Sequence, residues 1–451
     1  MDTAALRAAF TGPLIFPGDP GYDEARRIWN GMHDRRPALI ARPLGAADAS
    51  AAIRYASGAG LPVTVRGGGH NVAGTSIADE AVLIDLSLLR EVTVDPEAET
   101  AEAGGGALLK DVDSATAPHD LGCPSGVVGH TGLAGLAIGG GYGWITRKWG
   151  LTCDHILGAE VVLADGSIVQ ASETEHQDLL WALRGSAGNF GVVTRFTLRL
   201  RPVGPILYRT ALYPLKDAPA ALRAFREFTV KQSDDLRVFG SFQFAGDGEA
   251  IPAELRGEPI LELAVACSAD VPESVVQSAE IYASVPPAAQ AEETISYYDL
   301  QSKLNEAAPA GRRYFTKACY LTDLTDGVLE RIVEAARANP SGLSSIDVEY
   351  LRGAITDVDP ATSAFPHREA PFFLAAWASW TDPAHDGENI AWSRGTVASL
   401  EEWHYEGSYA NYAPEDDESA PAGDPRLPRV KHTYDPGNLF RGERHAAPAD
   451  V

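Results

Sequence analysis

The chain has 451 residues, a length that suggests two domains, because single hydrophobic cores rarely keep growing beyond about 250–300 residues. Apolar residues make up 45% and charged residues 22%, as in ordinary globular proteins. The formal net charge of −25 repels phosphate, which argues against nucleic acid and against anionic membrane surfaces as partners.

A membrane span, a signal peptide, a disulfide framework and a zinc site are not expected. No apolar run is long enough to span a bilayer, and residues 1–10 lack the basic-then-apolar order of a signal peptide. The cysteines are too few for a disulfide framework, and none forms the C-x-x-C pair of a zinc site: Cys123, Cys153, Cys267 and Cys319. We therefore expect a protein of the reducing cytoplasm, without a metal site.

The first 203 residues are rich in glycine and alternate predicted helices and strands. The pattern predicts helices at 23–29 and 46–57, and strands at 38–42, 61–66, 81–86, 91–94, 160–164, 167–170 and 190–200. The strand at 61–66 runs into three glycines, and Asp165-Gly166 is a strong hairpin signal. Pro202 and Pro205 mark the end of this first domain.

The middle of the chain, residues 204–407, has fewer glycines and a different predicted architecture. Helices at 218–231, 273–284 and 327–338 alternate with strands at 238–244, 260–267, 345–350 and 372–380. This predicts an antiparallel sheet covered by helices, so the whole chain is expected to be an α+β protein of two domains. The last segment, 408–451, is rich in loops and turns, with an acidic run at 415–418 that we expect to be a solvated loop.

Several familiar site motifs do not occur. The sequence contains no strict G-x-G-x-x-G dinucleotide fingerprint and no G-K pair of a Walker A loop. It also contains no H-E pair of a zinc protease and no G-x-S-x-G elbow of an α/β-hydrolase. The many glycines must therefore serve another purpose.

The first candidate site is the run from Arg66 through Gly67, Gly68 and Gly69 to His70, continuing to Ser76. Consecutive glycines let the backbone approach a ligand, and their N–H groups can cradle a pyrophosphate. An isolated loop histidine is usually only solvent-exposed. Directly after a buried strand and three glycines, His70 is better interpreted as a ligand-contacting residue.

The second candidate site is the glycine-rich run from Gly122 to Gly143. Nine glycines in these 22 residues are hard to reconcile with a helix or an ordinary strand, so the run is expected to wrap a flat or extended ligand. Cys123 lies in a turn before Pro124, unlike a typical core cysteine. The alternative is that its thiol is a small apolar filler.

A third candidate is the pair Asp347 and Glu349. Strand alternation points both carboxylates to the same face. Two acids on an otherwise apolar strand are costly to bury, so they should face a cavity or a partner. The alternative, a solvent-facing strand, is equally compatible with the sequence.

Together these motifs resemble the berberine bridge enzyme-like oxidases of the vanillyl-alcohol oxidase superfamily. The resemblance covers nearly the whole chain and includes the glycine loop with His70, the Gly-Gly-Gly-Tyr-Gly at 139–143, Trp-Gly-Leu-Thr-Cys-Asp at 149–154, Gly-Asn-Phe-Gly-Val-Val at 188–193, Tyr-Ala-Asn-Tyr at 409–412 and Tyr-Asp-Pro-Gly-Asn-Leu-Phe at 434–440. It implies a vanillyl-alcohol oxidase-type fold, in which residues 1–203 and the returning segment 408–451 bind FAD and residues 204–407 bind substrate.

The resemblance also implies roles for individual residues. His70 would bond to the flavin 8α-methyl, and Cys123, because it precedes proline as in the doubly linked members, would bond to flavin C6. Tyr412 would be the general base, with its phenolic pKa tuned towards neutrality; without the resemblance, a buried tyrosine with a satisfied hydroxyl is the better interpretation. Asp347 and Glu349 would line the substrate pocket, where either would aid Tyr412 in removing the proton, and Tyr142 would approach the substrate. Val72 departs from the tyrosine that sugar oxidases carry two positions after the histidine, which makes the pocket less polar.

The full set of residues expected to contact the cofactor follows from the same motifs: His70, Cys123, Arg66, Gly67, Gly68, Gly69, Asn71, Gly74, Gly129, His130, Thr131, Gly135, Gly139, Gly140, Gly143, Gly191, Val192, Val193, Tyr409, Asn411 and Asn438.

The predicted activity is hydride transfer from an alcohol or amine carbon to covalently bound FAD, with molecular oxygen as the final acceptor and hydrogen peroxide as product. A dehydrogenase using another acceptor would have the same sequence features. Two other classes stay open: a natural-product cyclase or hydroxylase of the same fold, and a carbohydrate-binding or hydrolytic protein without flavin.

Overall fold

A computed structural model describes residues 2–414 and 424–441; the acidic run at 415–418 lies outside these residues. The chain begins with a small mixed sheet of order β1-β2-β4-β3, in which β2 and β3 both run parallel to the central β4 and β1 is antiparallel. Its elements are α1 (Thr3–Ala9), β1 (Leu14–Ile15), α2 (Tyr22–Ala25), β2 (Leu39–Ala41), α3 (Ala46–Ala59), β3 (Val63–Arg66) and β4 (Val82–Asp85).

Helix α3 forms because its small apolar residues recur at helical spacing. Ala49, Ala52, Ile53 and Ala56 are all buried and share one face, which packs on the first sheet. The helix ends at Gly60, whose positive φ of 68° gives the left-handed cap that glycine adopts readily. The chain then returns as β3, which ends directly at the three glycines.

A second, antiparallel sheet has the order β5-β6-β10-β8-β9. The segment comprises β5 (Val92–Asp95), β6 (Thr100–Gly104), α4 (Leu109–Thr116), β7 (Leu121–Gly122), α5 (Leu133–Ile138), α6 (Thr146–Trp149), β8 (Ile156–Val162), β9 (Ile168–Ala171), α7 (Gln177–Leu183), β10 (Val192–Arg199) and β11 (Arg201–Pro202). The short strands β7 and β11 pair with each other.

The rest of the chain builds an eight-stranded antiparallel sheet of order β15-β12-β14-β13-β17-β18-β16-β19. Its elements are β12 (Ile206–Pro214), α8 (Ala218–Thr229), β13 (Arg237–Phe244), β14 (Pro259–Ser268), α9 (Pro272–Gln277), β15 (Ala289–Ile295), α10 (Tyr297–Ser302), β16 (Arg313–Leu321), α11 (Asp326–Arg337), β17 (Ser345–Tyr350), α12 (Ala354–Asp357), β18 (Phe372–Trp380), α13 (Asp386–Ala398) and β19 (His404–Tyr405), followed by α14 (Leu427–Tyr434).

The two faces of the eight-stranded sheet have different tasks. One face packs under α8, α11 and α13 in a continuous apolar core that includes Phe225, Leu329 and Ile346. The opposite face, reached by strand alternation, turns towards the glycine loops and carries polar and aromatic side chains. The sheet therefore forms one wall of a cavity between the two halves of the chain.

The described C-terminal residues are locked onto the first sheet by a fully buried ion pair. Lys431 Nζ lies 2.5 Å from Asp435 Oδ2 and donates to the carbonyls of Asn189 (2.7 Å) and Phe440 (3.0 Å). Asp435 in turn accepts from the backbone N–H groups of Leu439 and Phe440. The Tyr-Asp-Pro-Gly-Asn-Leu-Phe motif is thus a latch that joins the segment to the loop before β10.

The sequence prediction of alternating elements is largely confirmed, with specific errors. The predicted helix at 23–29 is only α2, whereas the predicted strand at 190–200 forms as β10, in the centre of its sheet. The glycine-rich run was expected not to contain a helix, yet α5 forms there, because Leu133 and Ala137 lie one turn apart and are both buried. Strands β6, β12, β15 and β16 and helices α1, α4, α7, α10, α13 and α14 were not predicted.

Other expectations concern boundaries and surfaces. The domain limits at 203/204 and 407/408 stay predictions. In the part of the chain that the structure describes, no helix combines the length and apolarity required to cross a bilayer. All four cysteines are described, and each is buried with a free thiol.

Candidate active site

A cavity of about 1210 Å³ lies between the glycine loops and the eight-stranded sheet. Loops after β3, around α5 and before β10 form one side, and strands β13, β17 and β18 form the other. The cavity brings together sixteen residues predicted from sequence: Gly67, Gly68, Gly69, His70, Asn71, Thr131, Gly135, Gly139, Tyr142, Gly191, Val193, Asp347, Glu349, Tyr409, Asn411 and Tyr412.

The two glycine-rich runs meet back to back at the cavity wall. A Cβ on Gly68 would lie 2.3 Å from the backbone nitrogen of Gly132, and one on Gly132 would lie 2.2 Å from the nitrogen of Gly68. Neither backbone could approach the other with a side chain in between. Glycine is therefore required here to bring the histidine loop against α5.

His70 is held by a stack of aromatic rings. Its ring lies 4.0 Å from that of Trp29 (centroid to centroid, 17° between planes), and Trp29 stacks in turn on Tyr314 at 3.7 Å. Trp29 also donates its indole N–H to the carbonyl of Ala308. The histidine ring is thus fixed by residues from both halves of the chain.

Hydrogen bonds assign the tautomer of His70. His130 Nε2 lies 3.3 Å from the carbonyl oxygen of Asn305, which can only accept, so this nitrogen carries the proton. Nδ1 of His130 then serves as the acceptor for His70 Nε2, 3.1 Å away. In this arrangement His70 keeps its proton on Nε2 and presents an unprotonated Nδ1.

The same surroundings keep His70 neutral. Burial, aided by the neighbouring His130, lowers the pKa of His70 from 6.5 to about 3. At neutral pH one nitrogen of its ring therefore carries a lone pair.

Buried polar atoms at the β3–β10 end of the cavity lack protein partners. The hydroxyls of Thr64 and Ser76 and the side-chain oxygen of Asn189 are buried in the cavity wall without a hydrogen bond. Such groups are costly to leave unpaired, so they indicate a polar ligand. Together with the exposed backbone of the glycine loops, they fit a phosphate- and ribose-bearing cofactor such as FAD.

The sheet wall carries two acids in different states. The hydroxyl of Ser241 donates to Asp347 at 2.7 Å, and burial raises the pKa of Asp347 to about 6. Glu349, two residues along β17, is buried in an ion pair with Arg237. Arg237 also donates to the carbonyl of Gly143 and lies 3.1 Å from the hydroxyl of Thr146. Asp347 is thus the acid whose charge is left uncompensated.

Several tyrosines close the inner end of the cavity. Tyr142 and Tyr320 share a hydrogen bond between hydroxyls 3.0 Å apart. The hydroxyl oxygen of Tyr409 accepts from the backbone of Gly141 and from Asn411, both at 2.9 Å. Tyr412 packs with its ring 4.6 Å from that of Trp377. These contacts fix the ring positions around a narrow polar space.

The environment of Tyr412 bears on its predicted role as general base. Burial, together with Tyr409 and Asp347, raises the pKa of Tyr412 above its usual 10, the opposite of the tuning a base near neutrality requires. Asp347 faces Tyr412 and titrates near neutrality. Arg237 acts in the opposite direction on the pKa of Tyr412, and the role of Tyr412 as general base stays a prediction.

Nine predicted cofactor ligands do not line the cavity, and two of them, Arg66 and Cys123, are buried elsewhere in the fold. Arg66 is buried in an ion pair with Asp85 (2.6 Å) and donates to the carbonyl of Ala25, so it anchors the end of β3 instead. Cys123 is fully buried, and its neighbours Asp113 and Tyr297 belong to α4 and α10. Burial raises its pKa above 9, so the thiolate is disfavoured. Its placement matches the apolar-filler alternative.

The remaining predicted ligands shape the loops from behind. Gly129 donates its backbone N–H to Asn305, and His130 stands behind His70. Five more lie outside the cavity lining. Gly74 packs on His33, Gly140 on Phe365 and Gly143 on Ser125. Val192 is a core residue of β10, and Asn438 is a turn residue with φ of 49°.

Sequence reasoning missed residues that only the fold brings to the site. Trp29, Asn305 and Tyr314 support the histidine pair, and Arg237 and Trp377 sit on the sheet wall. Each is far in sequence from its partner and carries no local motif. The alternation of Arg237, Phe239 and Ser241 on one strand was the only available signal.

Comparison with known proteins gives consistent results. The family described as FAD binding domain matches residues 37–172. An FAD-dependent monooxygenase of Fusarium proliferatum is 30% identical over 449 residues, which span 90% of this chain and 83% of that protein. The (R)-6-hydroxynicotine oxidase of Paenarthrobacter nicotinovorans is 41% identical over 196 residues, 44% of this chain and 43% of that relative.

Solved structures share the complete architecture. The crystal structure of 6-hydroxy-D-nicotine oxidase from Arthrobacter nicotinovorans has a TM-score of 0.87 and 26% identity, with all of both chains covered. Berberine bridge enzyme from Eschscholzia californica has a TM-score of 0.86 over 99% of both chains, and at 18% identity this likeness shows the fold alone. The predicted fold class, an FAD-binding part plus an antiparallel sheet covered by helices, is confirmed.

Proposed function

Because the chain belongs to the berberine bridge enzyme-like FAD-linked oxidoreductases, we propose that it is an oxidase with FAD bonded covalently to His70. It removes a hydride from a carbon that bears an alcohol or amine group, and it passes the electrons to molecular oxygen to give hydrogen peroxide. The observation that carries this proposal is the single cavity shared by His70, the glycine loops and the Asp347–Tyr412 pair.

The described residues account for where the cofactor would be held. Gly67 to Asn71, Thr131, Gly135, Gly139 and Asn411 line the cavity beside the unpaired polar groups of Thr64, Ser76 and Asn189. Bound FAD supplies a two-electron acceptor that this set of side chains lacks. The protein's part is to orient substrate and cofactor and to move the proton.

Attachment through His70 follows from its state rather than its position alone. A neutral imidazole with an unprotonated Nδ1 is a competent nucleophile, whereas an imidazolium is not. His130 and Asn305 fix that tautomer, and Trp29 holds the ring plane. These contacts support a histidyl bond, while the burial of Cys123 gives no comparable support for a second bond.

Proton transfer is assigned to Asp347. Its carboxylate can accept a proton from the substrate hydroxyl or amine near neutral pH, since its pKa is raised to about 6. The hydroxyls of Tyr412 and Tyr142 are neutral donors and acceptors that orient the substrate. The Arg237–Glu349 pair holds the adjacent wall rigid.

A second candidate activity is hydroxylation, because the 30%-identical relative is named a monooxygenase. The two activities differ in the fate of oxygen. An oxidase forms one hydrogen peroxide for each substrate oxidised, whereas a monooxygenase places an oxygen atom in the product.

The first test is peptide mass spectrometry of the denatured protein together with a peroxide assay. We expect the mass of FAD on the peptide with His70, its loss in His70→Ala, and its retention in Cys123→Ala. Colourless protein without added mass, after expression with ample riboflavin, would refute the cofactor assignment. Oxygen-18 in the product without peroxide would replace the oxidase with the monooxygenase.

A further inference from the structure

We propose that the substrate is a protonated amine whose ammonium group is held by Asp347 and the aromatic side chains around it. This inference rests on the proposed function, because it names the substrate class of the same site. It is argued from the charge balance and the shape of the sheet wall.

The wall has one uncompensated charge, and that charge is negative. Strands β13, β17 and β18 present to the cavity one cation, Arg237, and two acids, Asp347 and Glu349. Arg237 and Glu349 neutralise each other. Asp347 forms no ion pair with any lysine or arginine among residues 2–414 and 424–441, and its hydrogen bond comes from the neutral hydroxyl of Ser241.

No cation on this wall is free to bind an anionic substrate. Arg237 is enclosed by Glu349, the carbonyl of Gly143 and the hydroxyl of Thr146, and only 4% of its surface is exposed. A carboxylate or phosphate group placed against this wall would therefore face Asp347 with no free arginine of β13, β17 or β18 to pair with it; the other arginines of the cavity lining, Arg312 and Arg441, lie outside these strands. A neutral sugar hydroxyl would also leave the half-buried carboxylate charge uncompensated.

Aromatic rings complete a site suited to a cation. The direct partner of Asp347 on β18 is Ala375, and Trp377 lies diagonally across from Asp347 on the same strand. The ring of Trp377 packs edge-on against that of Tyr412. Phe239, two residues before Ser241 on β13, faces the same cavity. Aromatic faces attract ammonium groups, and a carboxylate beside them supplies the counter-charge.

The charge of the ligand can be tested with probes that cannot be oxidised at an alcohol or amine carbon. 3-Hydroxyphenyltrimethylammonium and 3-tert-butylphenol have the same shape and differ in one positive charge. Isothermal titration of the FAD-loaded enzyme with each probe measures binding without turnover. We expect the cation to bind at least about tenfold more tightly than its neutral counterpart, as for one partly desolvated charge contact.

Variants assign that preference to Asp347. Asp347→Asn should remove the difference between the probes, and Asp347→Glu should retain part of it. Asp113→Asn is the matched control, since Asp113 is a buried acid outside the cavity, and it should keep the full preference. Visible flavin absorbance checks that each variant is folded and loaded.

Equal affinities in the wild type, tighter binding of the tert-butylphenol, or an unchanged preference in Asp347→Asn would overturn the amine assignment. The proposed function would survive those outcomes if the same preparation carries FAD on His70 and forms peroxide from a neutral alcohol. Absence of FAD and of peroxide, by contrast, refutes the function itself.

Discussion

Replacing Lys431 by methionine should destabilise the protein strongly while keeping the side-chain volume. The ammonium group is completely buried, pairs with Asp435 at 2.5 Å and donates to two backbone carbonyls. Removing one partner of a buried pair costs about 3–5 kcal/mol. Because Asp435 keeps two backbone donors, from Leu439 and Phe440, we expect the lower end, about 3 kcal/mol.

The assay is denaturant unfolding followed by flavin release and by far-ultraviolet circular dichroism. Flavin release should shift to lower denaturant in Lys431→Met, since the latch holds the loop of Asn189 at the cavity wall. The double variant Lys431→Met with Asp435→Asn is the control, because it removes both charges and should recover part of the stability. If Lys431→Met unfolds within about 0.5 kcal/mol of the wild type, the latch argument is wrong.

Three further changes probe other parts of the molecule. Burial raises the pKa of Asp113 to about 8, so this acid is neutral in the folded protein below that pH. Its contribution to the free energy of unfolding is lost as pH rises from about 4 to 8. Asp113→Asn should therefore raise the thermal midpoint at pH 8 but not at pH 4. Gly139→Ala should lower the ratio of flavin to protein, because the new Cβ would lie 2.1 Å from Asn411 Oδ1, whereas Gly395→Ala in α13, with no atom within 4 Å, should not. Binding of 3-hydroxyphenyltrimethylammonium should strengthen about tenfold from pH 5 to pH 7.5, as Asp347, surrounded by Ser241, Glu262 and Tyr412, loses its proton near pH 6; a flat profile by titration calorimetry would contradict this.

Local patterns predicted the parts of the fold that local forces decide. The strand β3 and its three glycines follow from an apolar run that ends in residues without side chains, and the β8–β9 hairpin follows from Asp165-Gly166. Helix α5 was missed because glycine is a poor helix former, while Leu133 is fully buried by tertiary packing. At α5 the burial of apolar side chains outweighs the low helix propensity of glycine.

The site could be predicted as a set of loops but not as an electrostatic environment. His70 and Asp347 were found from their motifs, whereas the partners that set their protonation lie far away: Asn305 follows α10, and Ser241 comes from another strand. The pKa of Tyr412 depends on how completely the fold buries it. Desolvation is a property of the assembled cavity, so no sequence pattern encodes it directly.

The state of Cys123 also depends on burial in the assembled fold. The Cys-Pro pair suggested a flavin link, but a cysteine can form such a bond only if its sulfur reaches the cavity and ionises. The thiol of Cys123 is completely buried outside the cavity lining, and burial together with Asp113 raises its pKa and disfavours the thiolate. His70 differs on both counts, because its ring borders the cavity and a neutral imidazole can react without ionising. The geometry therefore separates two residues that the motifs alone treated alike: it supports the proposed bond to His70, while the bond to Cys123 stays a prediction without such support.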